Sequence, residues 1–424
     1  MRSPVSHNDH MAMAYRKRLC VTLALALVAR LGFVLAYPQV PVENDAAWYD
    51  EAAYRLASGQ TEGTTPFARG PIYSLFLASV YRLAGHDRMA VRVAQAIISA
   101  LAVLLIYALG RTVFNAKVGL IASLLATLYP PFISYPGWLL TETLSVFLLL
   151  AFVYSLIRAW QRSRMTLWAV AGLLGGIIVL HRSELLLVVA LSVVAACVWR
   201  VGLAHVGAFV LVAALTILPW AVSNALLVGE FTTATSPGSG HVLWISTVEI
   251  QGPEWDPSAP YMREYEALVA GLGPIEADRR LRREAIRHIL ARPLRYLKLC
   301  VKRIQAFWLG GHSNTFLHLD GGLGSYLVQR EYGKAVVKLA MLVYNLGIIA
   351  LGFCGLYLAW TLGTVDPRPV VLMAIPVVVK ALTHVALFAA LRYQVPIMSF
   401  LIIFAAFAIW HVRCVIRDLI PVPS

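Results

Sequence analysis

Apolar runs of about 20 residues recur along this chain, near 19–36, 89–110, 118–133, 139–159, 166–181, 184–199, 203–221, 335–361, 369–390 and 395–411. A run of that length matches the hydrocarbon thickness of a bilayer when it is helical. Inside a bilayer every backbone amide must find its partner within its own segment, so each run predicts a helix. Of 424 residues, 59% are hydrophobic and only 14% charged, a balance that excludes a soluble globule. The expected fold class is an all-α polytopic membrane protein with about ten transmembrane helices.

Basic residues orient these spans. Tyr15-Arg16-Lys17-Arg18 precedes the first run and keeps the N-terminus cytoplasmic. The run ends in small residues at Leu35-Ala36, as a signal peptide would. Its length and the many spans that follow favour an uncleaved first helix. Residues 38–87 then fall outside. Arg111 to Lys117, the group Arg158, Arg162 and Arg164, Asp366-Pro367-Arg368, and Arg413 with Arg417 all return to the cytoplasm. The outer turns are Ser134 to Trp138, His181 to Glu184 and Leu391 to Gln394. Part of the net charge of +14 is this cytoplasmic bias, and the rest suits anionic lipid or lipid-linked phosphate. Basic residues interleaved with spans argue against nucleic acid. Five scattered cysteines (Cys20, Cys197, Cys300, Cys354, Cys414) imply neither a disulfide framework nor a metal site.

Three regions follow. Residues 1–221 form an N-terminal transmembrane module carrying the first outer loop, 38–87. Residues 222–333 form one long extracytoplasmic loop, and 334–424 hold the C-terminal helices. Within the long loop, Thr232 to Gly240 reads as strand or loop, ending near Trp244. Asp278 to Ile289 reads as a basic amphipathic helix with Leu281, Ala285 and Ile289 buried, which either lies on the outer leaflet or clamps the lipid donor, or packs on the bundle with its charged face solvated. Arg292-Pro293 breaks it, and Leu294 to Trp308 is a further helix.

The notable polar groups gather on the outer side: Asp45, Asp50, Glu51, Arg69, Glu142, Arg182, Glu184, His384 and Arg392. Each ionisable group costs about 2–3 kcal/mol on insertion, so a one-sided cluster points to function. The alternative is a set of interfacial anchors. In the first outer loop, Tyr49, Ala52, Ala53 and Leu56 make one helical face. Glu51 stands four residues before Arg55, the favoured order for a surface ion pair. Asp50 can reach Tyr54. Asp45 begins the helix, where it can serve as an N-cap, and has no local cation. Glu142 starts the fourth span, where a negative charge also suits the helix terminus.

Acids facing bases suit glycosyl transfer from a lipid phosphate. The acceptor hydroxyl needs a general base, because a neutral alcohol attacks an anomeric carbon poorly. The leaving phosphate departs as an anion and needs cationic donors. Arginine grips two oxygens at once in a fixed fork.

Asn44-Asp45-Ala46-Ala47-Trp48-Tyr49-Asp50, Leu56-Ala57-Ser58-Gly59 and Arg69-Gly70-Pro71-Ile72-Tyr73 resemble the first outer loop of glycosyltransferase family 39. That group includes the protein O-mannosyltransferases and resembles the lipid A aminoarabinose transferases, all of the GT-C fold. The similarity continues through Tyr129-Pro130, Leu140-Thr141-Glu142, Leu218-Pro219-Trp220 with Asn224, Ala277-Asp278 and Ala306-Phe307-Trp308, to Leu391-Arg392-Tyr393-Gln394-Val395-Pro396. The resemblance implies a GT-C fold and inverting transfer from a polyprenyl-phosphate sugar at the outer face of the inner (plasma) membrane. Asp45 matches the catalytic aspartate, Glu142 the second acidic position, and Arg392 with Tyr393 the last outer turn. Tyr49, Arg69, Tyr73, Arg182, His384, Arg392 and Tyr393 are the candidate substrate-binding residues. Ala46 replaces the glutamate that follows the aspartate in the mannosyltransferases. This departure favours a glycan or lipid acceptor over a protein. Two outer acids could hold Mg²⁺ or Mn²⁺, although no spacing demands a metal. The rival class is a lipid or solute transporter, which would place charges near the bilayer midplane in broken, repeated helices. A non-catalytic envelope scaffold is a third reading.

Overall fold

The computed structural model describes residues 7–60, 69–228, 239–248, 261–317, 319 and 321–419. In chain order its helices are α1 (His7–Ala36), α2 (Asn44–Ser58), α3 (Pro71–Ala84), α4 (Arg88–Val113), α5 (Ala116–Leu128), α6 (Pro130–Ser134), α7 (Glu142–Arg162), α8 (Met165–His181), α9 (Leu186–Val198) and α10 (Leu203–Val228). There follow α11 (Ser239–Ile245), α12 (Tyr261–Val269), α13 (Pro274–Ala291), α14 (Pro293–Trp308), α15 (Ser313–Leu317), α16 (Leu323–Val328), α17 (Tyr332–Thr361), α18 (Pro367–Ala386) and α19 (Val395–Leu419). No strand occurs among the described residues. The chain is a multi-pass membrane protein.

Among the described residues, seven helices are long and apolar enough to cross a bilayer, and a bent pair taken as one span makes an eighth. The expected ten are reached only by adding two shorter apolar helices, Met165–His181 and Ser183–Val198. The bent pair is the expected third span. Pro130 and Pro131 cannot continue the helix, and the chain turns by 64° between α5 and the short helix after it. A bend inside a bilayer frees carbonyls, and Arg30 meets one of them, that of Ala126. Its guanidinium is fully buried and donates to Ala126 O (3.2 Å), Ala26 O (2.9 Å) and Ser99 Oγ (2.8 Å). The seventh span overruns its expected end, with Pro219 inside α10.

Helices α17 and α19 pack so closely that a Cβ on Gly355 would overlap the backbone of Phe404. Without water between helices, close van der Waals contact of this kind holds a bundle together. The core of α19, from Ile397 to Ala408, is buried throughout. It is the central post of the bundle.

The long loop differs from expectation at the start of α11 and decides between the two readings of α13. Ser239 and Gly240 lie in helix α11, not in a strand or loop; Thr232 to Gly238 lie outside the described residues. In α13, Leu281 and Ala285 are buried against Trp244 and Ile245 of α11, so this face meets protein and not lipid; Ile289 is only partly buried. Asp278 explains the docking. Its Oδ1 accepts the first amides of α11, from Gly240 (2.7 Å) and His241 (3.2 Å), and so caps the neighbouring helix. No Cβ fits at Gly240 beneath the Asp278 carbonyl.

Candidate active site

The first loop is clamped onto the bundle by two side chains of α4. Arg92 donates to the carbonyls of Pro38 and Val40, just after α1. Gln95 Nε2 donates to Pro136 O (3.0 Å) and Trp138 O (2.9 Å), and its Oε1 accepts the Tyr73 hydroxyl (3.0 Å). Both side chains are buried. Gly70 begins α3 where a Cβ would overlap the backbone oxygens of Leu180 and His181, so the chain there is pressed onto the end of α8. This contact fixes the residue before it, Arg69.

Arg69 and the turn before α19 converge on Asp45. Arg69 Nη2 lies 2.6 Å from Oδ1 and Arg392 Nη2 lies 2.6 Å from Oδ2, so each carboxylate oxygen holds one guanidinium. All three side chains remain about a third exposed, at 32%, 29% and 29%. Burial alone would raise the Asp45 pKa, but the charges and hydrogen bonds of Arg392 and Arg69 outweigh it and hold the group below the ordinary carboxylate range. Asp45 is not the helix cap expected of it. Helix α2 starts one residue earlier, with Glu43 at the N-cap position and no side-chain capping bond. The Arg69 guanidinium also lies over the rings of Trp48 (5.0 Å) and Tyr49 (5.1 Å).

Tyr393 joins this clamp to a second basic group. Its hydroxyl accepts from Arg392 (3.2 Å), its ring stacks on His384 at 4.3 Å, and the Arg182 guanidinium stands 5.0 Å from the ring centre. Arg182 in turn donates to Glu184 (2.6 Å) and to the Thr141 hydroxyl (3.0 Å). Glu142 is buried. Its Oε1 is 3.9 Å from Arg182, and its Oε2 has no hydrogen-bond partner among the described residues. His384 Nδ1 lies 3.0 Å from the carbonyl of Phe388, and its Nε2 lies 3.3 Å from Lys380 Nζ.

The structure thus brings together Asp45, Arg69, Arg392, Tyr393, Arg182, His384 and Glu142. Tyr49 lines the same place, its ring at 4.8 Å edge-on to Tyr73. Tyr73 is fully buried and spent on Gln95, so it supports the loop from beneath. Glu51 pairs with Arg55 at 2.6 Å on the helix surface, as its spacing predicts. Asp50 does not take Tyr54. It is buried and accepts from Tyr81, from Arg88 (2.6 and 3.0 Å) and from His86 (3.1 Å). Burial pushes its pKa up, and the bonds from Arg88, Tyr81 and His86 bring it back below the usual range. Asp50 is a structural staple between α2, α3 and the start of α4.

Lys380 was not foreseen. It is buried in α18, 3.2 Å from Glu184 and beside His384. The signal was present, since it is the sole lysine in the apolar run 369–390, where a charge is costly. Nor do the two acids suit a divalent cation as they stand. Asp45 is engaged on both oxygens by arginine, and Glu142 faces Arg182. Among the described residues no group of three or more His, Cys, Asp or Glu could hold a metal ion.

Residues 68–223 match the family described as dolichyl-phosphate-mannose-protein mannosyltransferase. No curated protein matches the chain in sequence. In structure the chain is similar to the oligosaccharyltransferase AglB of Archaeoglobus fulgidus in complex with an inhibitory peptide and a dolichol-phosphate. The TM-score is 0.56 at 16% identity, over 97% of this chain and 52% of that one. The apo form of the A. fulgidus enzyme gives 0.57 at 14% identity, over 97% and 52%. A looser likeness, to ArnT of Cupriavidus metallidurans bound to undecaprenyl phosphate, has a TM-score of 0.43 at 13% identity, over 97% and 79%. The chain spans about half the length of the archaeal enzyme, 52%. The fold is GT-C, as the resemblance of the loop motifs implied.

Proposed function

We propose that this protein is a membrane glycosyltransferase. It moves a sugar from a polyprenyl-phosphate donor to a glycan or lipid acceptor of the cell envelope, with its site on the extracytoplasmic side of the inner membrane. The observation that carries this reading is the carboxylate of Asp45 set between two partly exposed arginines, Arg69 and Arg392. A base and a phosphate grip are the two parts the reaction requires.

Asp45 takes the proton of the acceptor hydroxyl as its oxygen bonds to the anomeric carbon. The bond from that carbon to the phosphate oxygen breaks, and the electron pair leaves with the phosphate. Attack comes from the side opposite the leaving group, so the configuration inverts. The lipid phosphate passes from a singly charged diester to a monoester of higher charge, and Arg69 and Arg392 are placed to receive that charge. Tyr393 and His384 hold Arg392 in position, and Arg182 adds positive potential beside Glu142. A transporter would keep isolated charges along its midplane. Here Lys380 is tied to Glu184 at the turn after α8, within the same end of the bundle.

The test is chemical. Purified protein given polyprenyl-phosphate sugars and an envelope lipid or glycan extract should release free polyprenyl phosphate and a mass-shifted acceptor. A strain lacking the protein should lose one envelope modification while its lipid-linked donor accumulates. Transport of intact donor without sugar transfer would overturn the proposal.

A further inference from the structure

We infer that Asp45 occupies the phosphate's own seat between Arg69 and Arg392, so that binding of the lipid phosphate displaces the carboxylate and thereby frees it to act as base. This deepens the function proposed above and rests on it.

Three observations point to this exchange. Each oxygen of Asp45 takes one guanidinium nitrogen at 2.6 Å, the arrangement two arginines would offer to two oxygens of a phosphate. Arg69 and Arg392 come from opposite ends of the chain, and among the described residues Asp45 is the one carboxylate within salt-bridge distance of either. All three groups are open to the exterior at about a third of their surface, so an incoming anion can reach the clamp without unfolding it.

The chemistry gives the exchange a purpose. A carboxylate with both oxygens in charge-assisted hydrogen bonds is a weak base, because protonation must break those bonds. A phosphate that takes over the arginines removes the bonds and adds a like charge nearby. Both changes raise the basicity of Asp45 when a donor is present. After transfer, Asp45 carries the acceptor's proton and the lipid phosphate holds the arginines with added charge. Loss of that proton to solvent restores the carboxylate, which competes for Arg69 and Arg392 and helps expel the product. The base is thus silent without donor and aids release at the end.

The exchange makes an unusual demand on the variant that should be inactive. Asp45→Asn keeps the size of the side chain and removes the competing charge. Its affinity for undecaprenyl phosphate in detergent should therefore rise, by about tenfold if one charge-assisted contact is in competition. Undecaprenol, which lacks the phosphate, should bind both proteins equally. Equal or weaker binding of undecaprenyl phosphate by Asp45→Asn would overturn the displacement. Failure of both proteins to bind it would instead overturn the lipid-phosphate reading on which the displacement rests. A second measurement uses the wild-type protein, in case the variant does not fold. Labelling of Asp45 by a water-soluble carbodiimide, read by peptide mass spectrometry, should increase when undecaprenyl phosphate is added. Unchanged or reduced labelling would count against displacement.

Discussion

Oδ2 of Asp45 and Nη2 of Arg392 lie 2.6 Å apart, although 347 positions separate the two residues in the chain. That contact closes the first loop onto the turn before the last helix. It makes one site from the two ends of the sequence.

The pairing sharpens what Asp45→Asn should do. As a helix cap the residue would have mattered little, since asparagine caps as well as aspartate. The cap is absent, and the carboxylate faces two arginines. Turnover should fall by about a hundredfold or more. The thermal midpoint of the purified protein, read by tryptophan fluorescence, separates this loss from unfolding. Normal turnover by folded Asp45→Asn would pass the base role to Glu142.

Arg69 and Arg392 should not tolerate lysine. Lysine keeps the charge but loses the planar fork and the ring contacts, which for Arg69 are Trp48 and Tyr49 and for Arg392 is Tyr393. Arg69→Lys and Arg392→Lys should each raise the Michaelis constant for the lipid donor by about tenfold. Wild-type kinetics in both would remove them from the phosphate site.

Lys380 and Glu184 should behave as a unit. Removing Glu184 leaves the buried Lys380 without its counter-ion, at a cost of about 3 kcal/mol, whereas removing Lys380 leaves Glu184 paired with Arg182 at 2.6 Å. Glu184→Gln is expected to lose that much stability and Lys380→Met less, and the double change should cost less than the sum of the two single changes. A double-mutant cycle from chemical unfolding in detergent measures the coupling. Additive effects would show that the 3.2 Å contact contributes nothing.

His312 sets a pH dependence. Burial lowers its pKa from 6.5 to about 4, with the Gln394 contact opposing. The unfolded chain takes up a proton as pH falls through 6.5, while the folded protein does not until about 4. Stability from this group is therefore whole above pH 6.5 and declines between 6.5 and 4. His312 has a positive φ of 55°, which asparagine accepts better than most residues. His312→Asn should flatten the fall in thermal midpoint over that window. An identical slope in the variant would assign the dependence elsewhere.

Orientation can be tested with cysteine reporters in a background freed of the native thiols, of which Cys20, Cys197 and Cys354 are exposed. Arg263→Cys in α12 should label from outside with an impermeant maleimide, and Arg162→Cys at the end of α7 should not. Gly240 is unsuited to this use, because α11 and α13 leave no room there for a side chain. Labelling of Arg162→Cys in intact cells would invert the placement of the site.

What the sequence determined by itself is everything that depends on neighbours along the chain. Helical spans follow from apolar length, because the bilayer imposes that length locally. The Glu51–Arg55 pair follows from a four-residue spacing, and the break between α13 and α14 from Arg292-Pro293. Candidate residues could be named as well, since charges gathered at one side of a bilayer stand out against apolar surroundings. Their partners could not. Asp45 looks unpaired beside its neighbours, and only packing of the first loop against the end of α18 and the start of α19 brings Arg69 and Arg392 to it. Spacing lets Asp50 reach Tyr54, yet the end of α3, the turn after it and the start of α4 deliver Tyr81, His86 and Arg88 instead. The amphipathic face of α13 had the right period for a buried stripe, but periodicity says that a face is covered without saying by what. Protein covers it, because Asp278 caps α11 and draws that helix onto Leu281 and Ala285. Tertiary structure decides such matters because a charge pair or an apolar contact depends on distance in space, and in a bundle that distance is set by how helices far apart in sequence pack.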